Sequence, residues 1–269
     1  MKCNKRDKER GRDMGVILVV LDGLSAQVGR NTLGFLSALV KEDKGHYREI
    51  TCELPSMSRP LYECILTGKK PIESGIVNND ISRLSYEKSI FHYAKEAGLI
   101  TAAAAYHWVS ELYNRTPFNP ETDRYIADIN LTIPYGHFYF EDHYPDSHLF
   151  LDGEYLRKLH EPDFLFIHSM NIDDAGHKYG LDSAQYRNAA RSADMHLSNY
   201  LPKWLKEGYQ IIITADHGMN IDHSHGGTLP EEQEVPLFIF GSEHREWLDA
   251  KITQTDIQAM VCQMLKIAC

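Results

Sequence analysis

Residues 210–218 read QIIITADHG, an apolar and β-branched run that ends directly in Asp216, His217 and Gly218. Such a run predicts a buried strand. Two ionisable groups directly after an apolar strand are costly unless they are paired or bind a metal ion. The stretch therefore predicts both a strand of a buried sheet and a chemical site at the carboxyl end of that strand.

Other apolar runs on either side of this stretch alternate with longer amphipathic stretches. Strands are predicted at 15–21, 48–54, 99–105, 164–168, 210–214 and 235–240, and helices at 31–41, from about 60, and at 85–97, 183–206 and 255–266. Alternating strands and helices predict an α/β fold, in which helices cover both faces of a mostly parallel central sheet.

Residues 106–161 interrupt the alternation. They are rich in aromatic residues, prolines and histidines, and the stretch is too long for a simple loop. We expect a small inserted cap over the active site, with an irregular surface excursion as the alternative.

The composition fits one large domain. The 269 residues are 43% hydrophobic and 25% charged, with a formal net charge of −10. Nucleic-acid polymers and anionic membranes bind through basic surfaces, so neither is expected as the main partner. A small anionic substrate remains compatible if metal cations supply local positive charge. The sequence does not indicate an oligomeric state.

The N-terminal residues 1–13 are basic and polar, and are predicted to form a disordered tail ahead of a catalytic domain at 14–269. The apolar run after them has only about nine residues, which matches neither a secretory signal nor a membrane span. The cysteines show no metal-type spacing: Cys3, Cys52, Cys64, Cys262 and Cys269. These features together predict a reducing, cytoplasmic location.

Possible metal ligands follow several of the predicted strands, and ligands bind at the carboxyl ends of strands in open α/β sheets. The candidates are Asp22, Asp173, His177, Asp216, His217 and His225, with the Ser58 hydroxyl. Taken singly, Asp22-Gly23 could be a turn and Asp173 a helix cap. Together they predict two divalent metal ions. Carboxylate and imidazole ligands suit Zn²⁺ best and also accept Mn²⁺.

Ser58 is the predicted nucleophile. It lies between a strand and a helix whose first turn contains Pro60, where free backbone N–H groups favour an incoming phosphate. A serine hydroxyl needs activation by a base or a metal ion. Ser56 is the competing nucleophile, and a simple capping role for Ser58 is the structural alternative.

The pattern resembles the alkaline phosphatase superfamily. The motifs are Asp22-Gly23, a hydroxyl residue two before a proline, Asp173-x-x-x-His177, Asp216-His217-Gly218 and His225-Gly226-Gly227. The stretch 176–180, GHKYG, is most similar to the nucleotide pyrophosphatase/phosphodiesterase branch. The resemblance implies one metal on Asp22, Ser58, Asp216 and His217 and another on Asp173, His177 and His225, with His223 as an alternative to His225. It also implies a phosphoseryl intermediate on Ser58.

The resemblance implies hydrolysis of a small phosphate ester, with phosphodiesterase or nucleotide pyrophosphatase activity favoured. A phosphomonoesterase or phosphomutase is the nearest alternative, and a sulfatase or a non-catalytic metal-binding protein is less favoured. A phosphoryl oxygen also needs a hydrogen-bond donor, and Arg59 and His107 are the candidates for substrate binding.

Overall fold

The computed structural model describes residues 15–269, so the tail predicted for 1–13 lies outside it. Eight strands form one sheet in the order β2-β8-β7-β1-β6-β3-β5-β4. In chain order they are β1 (Val16–Leu21), β2 (Gly45–Thr51), β3 (Thr101–Tyr106), β4 (Tyr125–Ala127), β5 (Tyr135–Tyr139), β6 (Phe164–Ser169), β7 (Gln210–Thr214) and β8 (Glu234–Phe240).

The connections between the strands are mostly helical. The helices are α1 (Ala26–Thr32), α2 (Gly34–Lys41), α3 (Ser58–Thr67), α4 (Pro71–Ser74), α5 (Ile90–Glu96), α6 (His107–Tyr113), α7 (Pro120–Asp123), α8 (Asp146–His160), α9 (Asn171–Tyr179), α10 (Ala184–Lys206), α11 (Pro230–Gln233) and α12 (Asp256–Met264), with a 3₁₀ turn at His244–Trp247. Across residues 15–269, no helix is both long and apolar enough to cross a membrane.

The predicted α/β fold with a mostly parallel sheet is confirmed. Strands β7, β1, β6, β3 and β5 pair in parallel, whereas β8 and β4 run antiparallel to their neighbours. Because β2 is antiparallel to β8, it points the same way as β7. The carboxyl ends of β1, β2, β6 and β7 therefore share one edge of the sheet.

The core lies on both sides of the central strands. Every residue of β1, β3, β6 and β7 is buried, which requires cover on both faces of the sheet. Helices α3, α5 and α12 contact one another, and α10 contacts α1, α2, α8 and α9 in a second group. The largest buried side chains include Trp204, Tyr62 and Tyr186.

Several predicted elements have different bounds in the structure; the helix expected at 85–97, for example, forms only at Ile90–Glu96. The helix expected at 31–41 is divided at Leu33, because the Asp194 carboxylate accepts hydrogen bonds from the amides of Phe35 and Leu36 and begins a new helix there. The strand expected at 48–54 ends at Thr51, where its pairing with β8 ends.

The stretch 106–161, where a cap was expected, contributes to the sheet itself. Strand β5 pairs with β3, and β4 pairs with β5 at the edge of the sheet. Helix α8 packs on β3 and β6. Most of the ordered elements of this stretch therefore belong to the main layers. Strand β5 pairs with the backbone groups that β3 would otherwise leave free at the edge of the sheet, and aromatic side chains of the two strands, such as Tyr106 and Tyr139, contact each other.

Candidate functional site

Parallel strands carry the predicted ligands to one place. Asp22 follows β1, Asp173 lies in the first turn of α9 after β6, and Asp216 follows β7. The two neighbours of β1 are β6 and β7, so the three carboxylates meet at the same edge. Gly23 allows this approach: its φ is +70°, and a Cβ there would lie 2.7 Å from Asp173 Oδ1.

His217 is at the centre of the first group of side chains. Its Nε2 lies 3.4 Å from Asp22 Oδ1 and 3.3 Å from Asp216 Oδ2. The same nitrogen lies 3.0 Å from the Ser58 hydroxyl. The potential ligand atoms of Asp22, Asp216 and His217 all lie within 4.8 Å of one another, so a single cation could contact them together.

Asp173 and two further histidines form the second group. His177 Nε2 lies 3.4 Å from Asp173 Oδ2, and His225 Nε2 lies 3.7 Å from Asp173 Oδ1. The two Nε2 atoms are 3.1 Å apart. The ring of His225 stacks on that of His217 at 3.7 Å, so the two groups are adjacent.

The three imidazoles all present the same ring nitrogen to the carboxylates. Each Nδ1 lies 2.8–2.9 Å from a backbone carbonyl: His217 at Gly218, His225 at Ser56 and His177 at His223. A carbonyl only accepts hydrogen bonds, so each Nδ1 carries a proton, and in the neutral imidazole each Nε2 then presents a lone pair. The Nε2 atoms of His177 and His225 are 3.1 Å apart, and two lone pairs at that distance repel each other unless a proton or a metal ion lies between them.

His223 takes a different position from His225. Its Nδ1 lies 3.2 Å from the backbone oxygen of His177, and its own carbonyl accepts from the His177 ring. The structure therefore places His225 in the second group, whereas His223 contacts the backbone and the Nδ1 side of His177.

The carboxylates have unused oxygens. Asp22 Oδ1, Asp173 Oδ1 and Asp216 Oδ2 are buried, and none has a hydrogen-bond partner within residues 15–269. Burial and the charge of Asp216 raise the pKa of Asp22, and burial and the charge of Asp22 raise the pKa of Asp173 to about 7. Buried carboxylates in contact with one another need positive charge, and this donor set fits divalent cations.

The structure distinguishes between the two candidate nucleophiles. Ser58 is the first residue of α3, and its hydroxyl faces His217 Nε2. The Ser56 hydroxyl instead donates to Gly227 O at 2.9 Å and accepts from Gly226 N at 3.0 Å. Ser56 therefore holds the loop that carries His225, while Ser58 faces the carboxylates.

The two predicted substrate-binding residues lie next to each other in a buried cluster. The Arg59 guanidinium pairs with Glu111 at 2.7 Å and lies 4.6 Å from the Trp108 ring centroid. His107 Nδ1 lies 3.8 Å from Glu111, and burial lowers the pKa of His107 to about 4. Arg59 is only 3% exposed and is already paired with Glu111, so little of its surface is free to meet a substrate. Its contact with a substrate stays a prediction.

Three residues near the site were missed in the sequence. Tyr62 and His168 both donate to Asp22 Oδ2. Asn79 accepts from the Arg59 amide at 3.0 Å, which places its side chain at the first turn of α3. The sequence contained a signal for two of them. Tyr62 lies four residues after Ser58, so both are on one face of a helix, and His168 is the lone histidine in the apolar strand at 164–168.

A comparison with protein families adds an independent finding. Residues 16–224 match the family described as type I phosphodiesterase / nucleotide pyrophosphatase. The human GPI ethanolamine phosphate transferase 2 catalytic subunit is 24% identical over 91% of this chain and 25% of that protein. Venom phosphodiesterase 2 of Crotalus adamanteus is 26% identical over 76% of this chain and 26% of that protein. The chain thus spans about a quarter of the length of these relatives.

Solved structures confirm the resemblance in fold. Murine ectonucleotide pyrophosphatase / phosphodiesterase 5 superposes with a TM-score of 0.72 at 14% identity, over 95% of this chain and 96% of that one. The TAB5 alkaline phosphatase mutant, described with Mg bound in its M3 site, gives 0.63 at 13% identity, over 95% and 98%. At these identities the likeness extends to the fold alone.

Proposed function

We propose that this chain, which belongs to the type I phosphodiesterase / nucleotide pyrophosphatase family, is a two-metal phosphodiesterase that acts on a small phosphate ester through Ser58. The observation that carries the proposal is the set of three buried carboxylate oxygens, unpartnered within residues 15–269, that cluster with the rings of His177, His217 and His225 beside the Ser58 hydroxyl. The family match over residues 16–224 supports the reaction class.

The donor set divides into two sites. Asp22, Asp216 and His217, with Ser58, would hold one cation. Asp173, His177 and His225 would hold the other; Asp173 and His225 also lie within 4.8 Å of His217, so the two sites adjoin. Zn²⁺ fits this mixture of oxygen and nitrogen donors, and Mn²⁺ also fits. Bound there, the pair of ions would supply the positive charge that lowers the pKa of a hydroxyl and stabilises a phosphoryl group.

Ser58 forms the covalent intermediate in this proposal. Its Oγ bonds to phosphorus as the bond from phosphorus to the leaving oxygen breaks. The serine proton passes to solvent, and the leaving oxygen takes up a proton. Water then bonds to phosphorus, the bond from phosphorus to Ser58 Oγ breaks, and a proton returns to the serine.

The first turn of α3 would hold the phosphoryl group. Ser58 is its first residue, at the end of the helix that favours an anion. Asn79 accepts from the Arg59 amide through Oδ1, so its NH₂ group is available to donate to a phosphoryl oxygen. Asn79 therefore supplies a neutral donor, whereas the Arg59 guanidinium is paired with Glu111.

Transfer to an alcohol is the second candidate reaction. The GPI ethanolamine phosphate transferase relatives favour it, because one of them aligns with 91% of this chain. The chemistry at Ser58 would be the same, except that an alcohol replaces water in the second step. The two reactions are separated by adding glycerol and measuring whether phosphorylated glycerol forms in place of free product.

The test uses the purified full chain. We expect two equivalents of bound metal, hydrolysis of bis-nitrophenyl phosphate in preference to nitrophenyl phosphate, and loss of activity after chelation. Ser58→Ala should lower the rate about a thousandfold or more, because it removes the nucleophile. Ser198→Ala is the matched control, because the exposed Ser198 hydroxyl donates to Met195 O within its own helix.

The results that would reject the proposal are equally specific. A chelated protein with full activity would remove the metal requirement, and an active Ser58→Ala variant would remove the covalent step. A faster rate with the monoester would favour the phosphomonoesterase alternative.

A further inference from the structure

The carboxylate of Asp22 is held unequally at its two oxygens. Oδ2 accepts from the Tyr62 hydroxyl and from His168 Nε2, the latter at 3.0 Å. Oδ1 is buried, makes no hydrogen bond to any residue from 15 to 269, and lies 3.4 Å from His217 Nε2. Two donors on one oxygen fix the plane of the carboxylate and leave the other oxygen facing the cluster.

Both donors have fixed positions of their own. Tyr62 lies one helical turn after Ser58 in α3 and is 1% exposed. His168 lies in β6 directly beside β1, where it pairs with Val20. Its backbone oxygen accepts from the Tyr139 hydroxyl at 2.8 Å, and its ring meets that of Tyr62 edge-on at 4.4 Å.

The contact with Asp22 also defines the role of His168 when a cation is held. Asp22 must be ionised to hold a cation, and an ionised carboxylate only accepts hydrogen bonds, so His168 then carries a proton on Nε2 and cannot offer that nitrogen to a metal. His168 therefore differs from His177, His217 and His225, whose Nε2 atoms present lone pairs.

We propose that Tyr62 and His168 are positioning residues, which orient Asp22 so that only Oδ1 is offered to the cation shared with Asp216 and His217. This inference rests on the proposed function. Groups that hydrogen-bond to a metal ligand set its orientation, and their loss commonly weakens metal affinity 10- to 100-fold. Helix α3 would then carry both the nucleophile and a residue that aligns the ligand.

The test measures zinc binding directly. Metal-free wild type and Tyr62→Phe are titrated with Zn²⁺ in competition with a chromogenic chelator, and melting temperatures are recorded without metal. We expect wild type to bind two ions, and Tyr62→Phe to bind one of them about 10- to 100-fold more weakly while the other is unchanged.

The chain offers a matched control in Tyr113→Phe. The Tyr113 hydroxyl also donates to a buried carboxylate on α3, Glu63 Oε2 at 2.6 Å, but Glu63 is outside the cluster. Both variants should lower the metal-free melting temperature, and Tyr113→Phe should leave both zinc affinities within about twofold. A purely structural role for Tyr62 would make the two variants behave alike.

A second substitution tests His168 by rescue. His168→Leu removes the donor and should weaken the same zinc ion, whereas His168→Gln keeps an N–H group and should recover part of the affinity. Equal zinc affinities in wild type and Tyr62→Phe would overturn the inference alone, since wild type would still bind two ions. A wild type that binds no zinc would reject the proposed function, and the inference with it.

Discussion

Two regions of the molecule bury carboxylates in opposite ways. Glu154 on α8 accepts from Arg157 Nε at 2.7 Å and Trp204 Nε1 at 3.0 Å, and also from Lys203. Burial alone would raise the pKa of Glu154, but these donors lower it to about 2. At the sheet edge, Asp22 and Asp216 keep an unpartnered buried oxygen among residues 15–269, and burial raises the pKa of each.

The difference between these two regions distinguishes a carboxylate that is buried for stability from carboxylates that are buried for a functional site. Around Glu154 the chain supplies its own cations, so the carboxylate is already satisfied when the protein folds. At the sheet edge the chain supplies carboxylates and imidazoles, and in the proposed function the balancing charge is that of bound metal ions. The carboxylate oxygens there, which are unpartnered within residues 15–269, indicate a site because imidazole nitrogens converge on them.

The largest expected effect is on catalysis, from Asp216→Asn. The variant keeps an acceptor for Gly23 N but loses the charge, so activity with bis-nitrophenyl phosphate should fall about a thousandfold. Metal-free stability should not fall, because an unpaired buried charge has been removed. Urea unfolding in EDTA measures this, and a strongly destabilised variant would mean that the carboxylate is structural.

The opposite pattern is expected from Glu154→Gln. Removing this charge leaves buried Arg157 with Glu207 as its remaining ion-pair partner among residues 15–269, and should lower the free energy of unfolding by about 3 kcal/mol. Activity per folded molecule should stay within about twofold of wild type at a temperature where the variant is folded. Urea unfolding and the same rate assay check both statements. A large loss of rate in a folded Glu154→Gln variant would contradict the view that Glu154 serves stability and the carboxylates at the sheet edge serve function.

The smallest expected effect is the pH dependence of that stability. A carboxyl group whose pKa is lowered to about 2 stabilises the fold above its unfolded pKa of about 4.3, and this contribution is lost as pH falls toward 2. The stability difference between metal-free wild type and Glu154→Gln should therefore shrink from about pH 4.5 downward. A difference that stays constant over this range would show that Glu154 is not held ionised by its neighbours.

Much of the fold could be predicted from the sequence, because the signals are local. The run at 210–214 forms β7 with the predicted bounds, and the helix at 183–206 forms α10 from Ala184 to Lys206. The break at Leu33 could not be predicted, since the acceptor that begins α2 is Asp194, about 160 residues further along the chain. The pairing of β5 with β3 is likewise a long-range contact.

In the candidate site, too, residues with a local signal could be predicted, whereas residues that depend on long-range contacts could not. Asp216 and His217 have a signal of their own, because ionisable residues directly after an apolar strand need an explanation. His168 has a weaker signal, as a lone histidine within an apolar strand, and its contact with Asp22 is shown by the pairing of β6 with β1. The role of Ser56 also depends on a partner far along the chain, in the loop at Gly226.

The strand order of the sheet has a consequence for how long the folded protein resists proteolysis. The residues at its carboxyl edge come from positions 22 to 225, so an unfolded chain cannot present them together. An ion that binds there would bind the native state alone, and would add about 4 kcal/mol of stability at a thousand times its dissociation constant. The supply of metal would then govern how long each molecule survives proteolysis, as well as how fast it works.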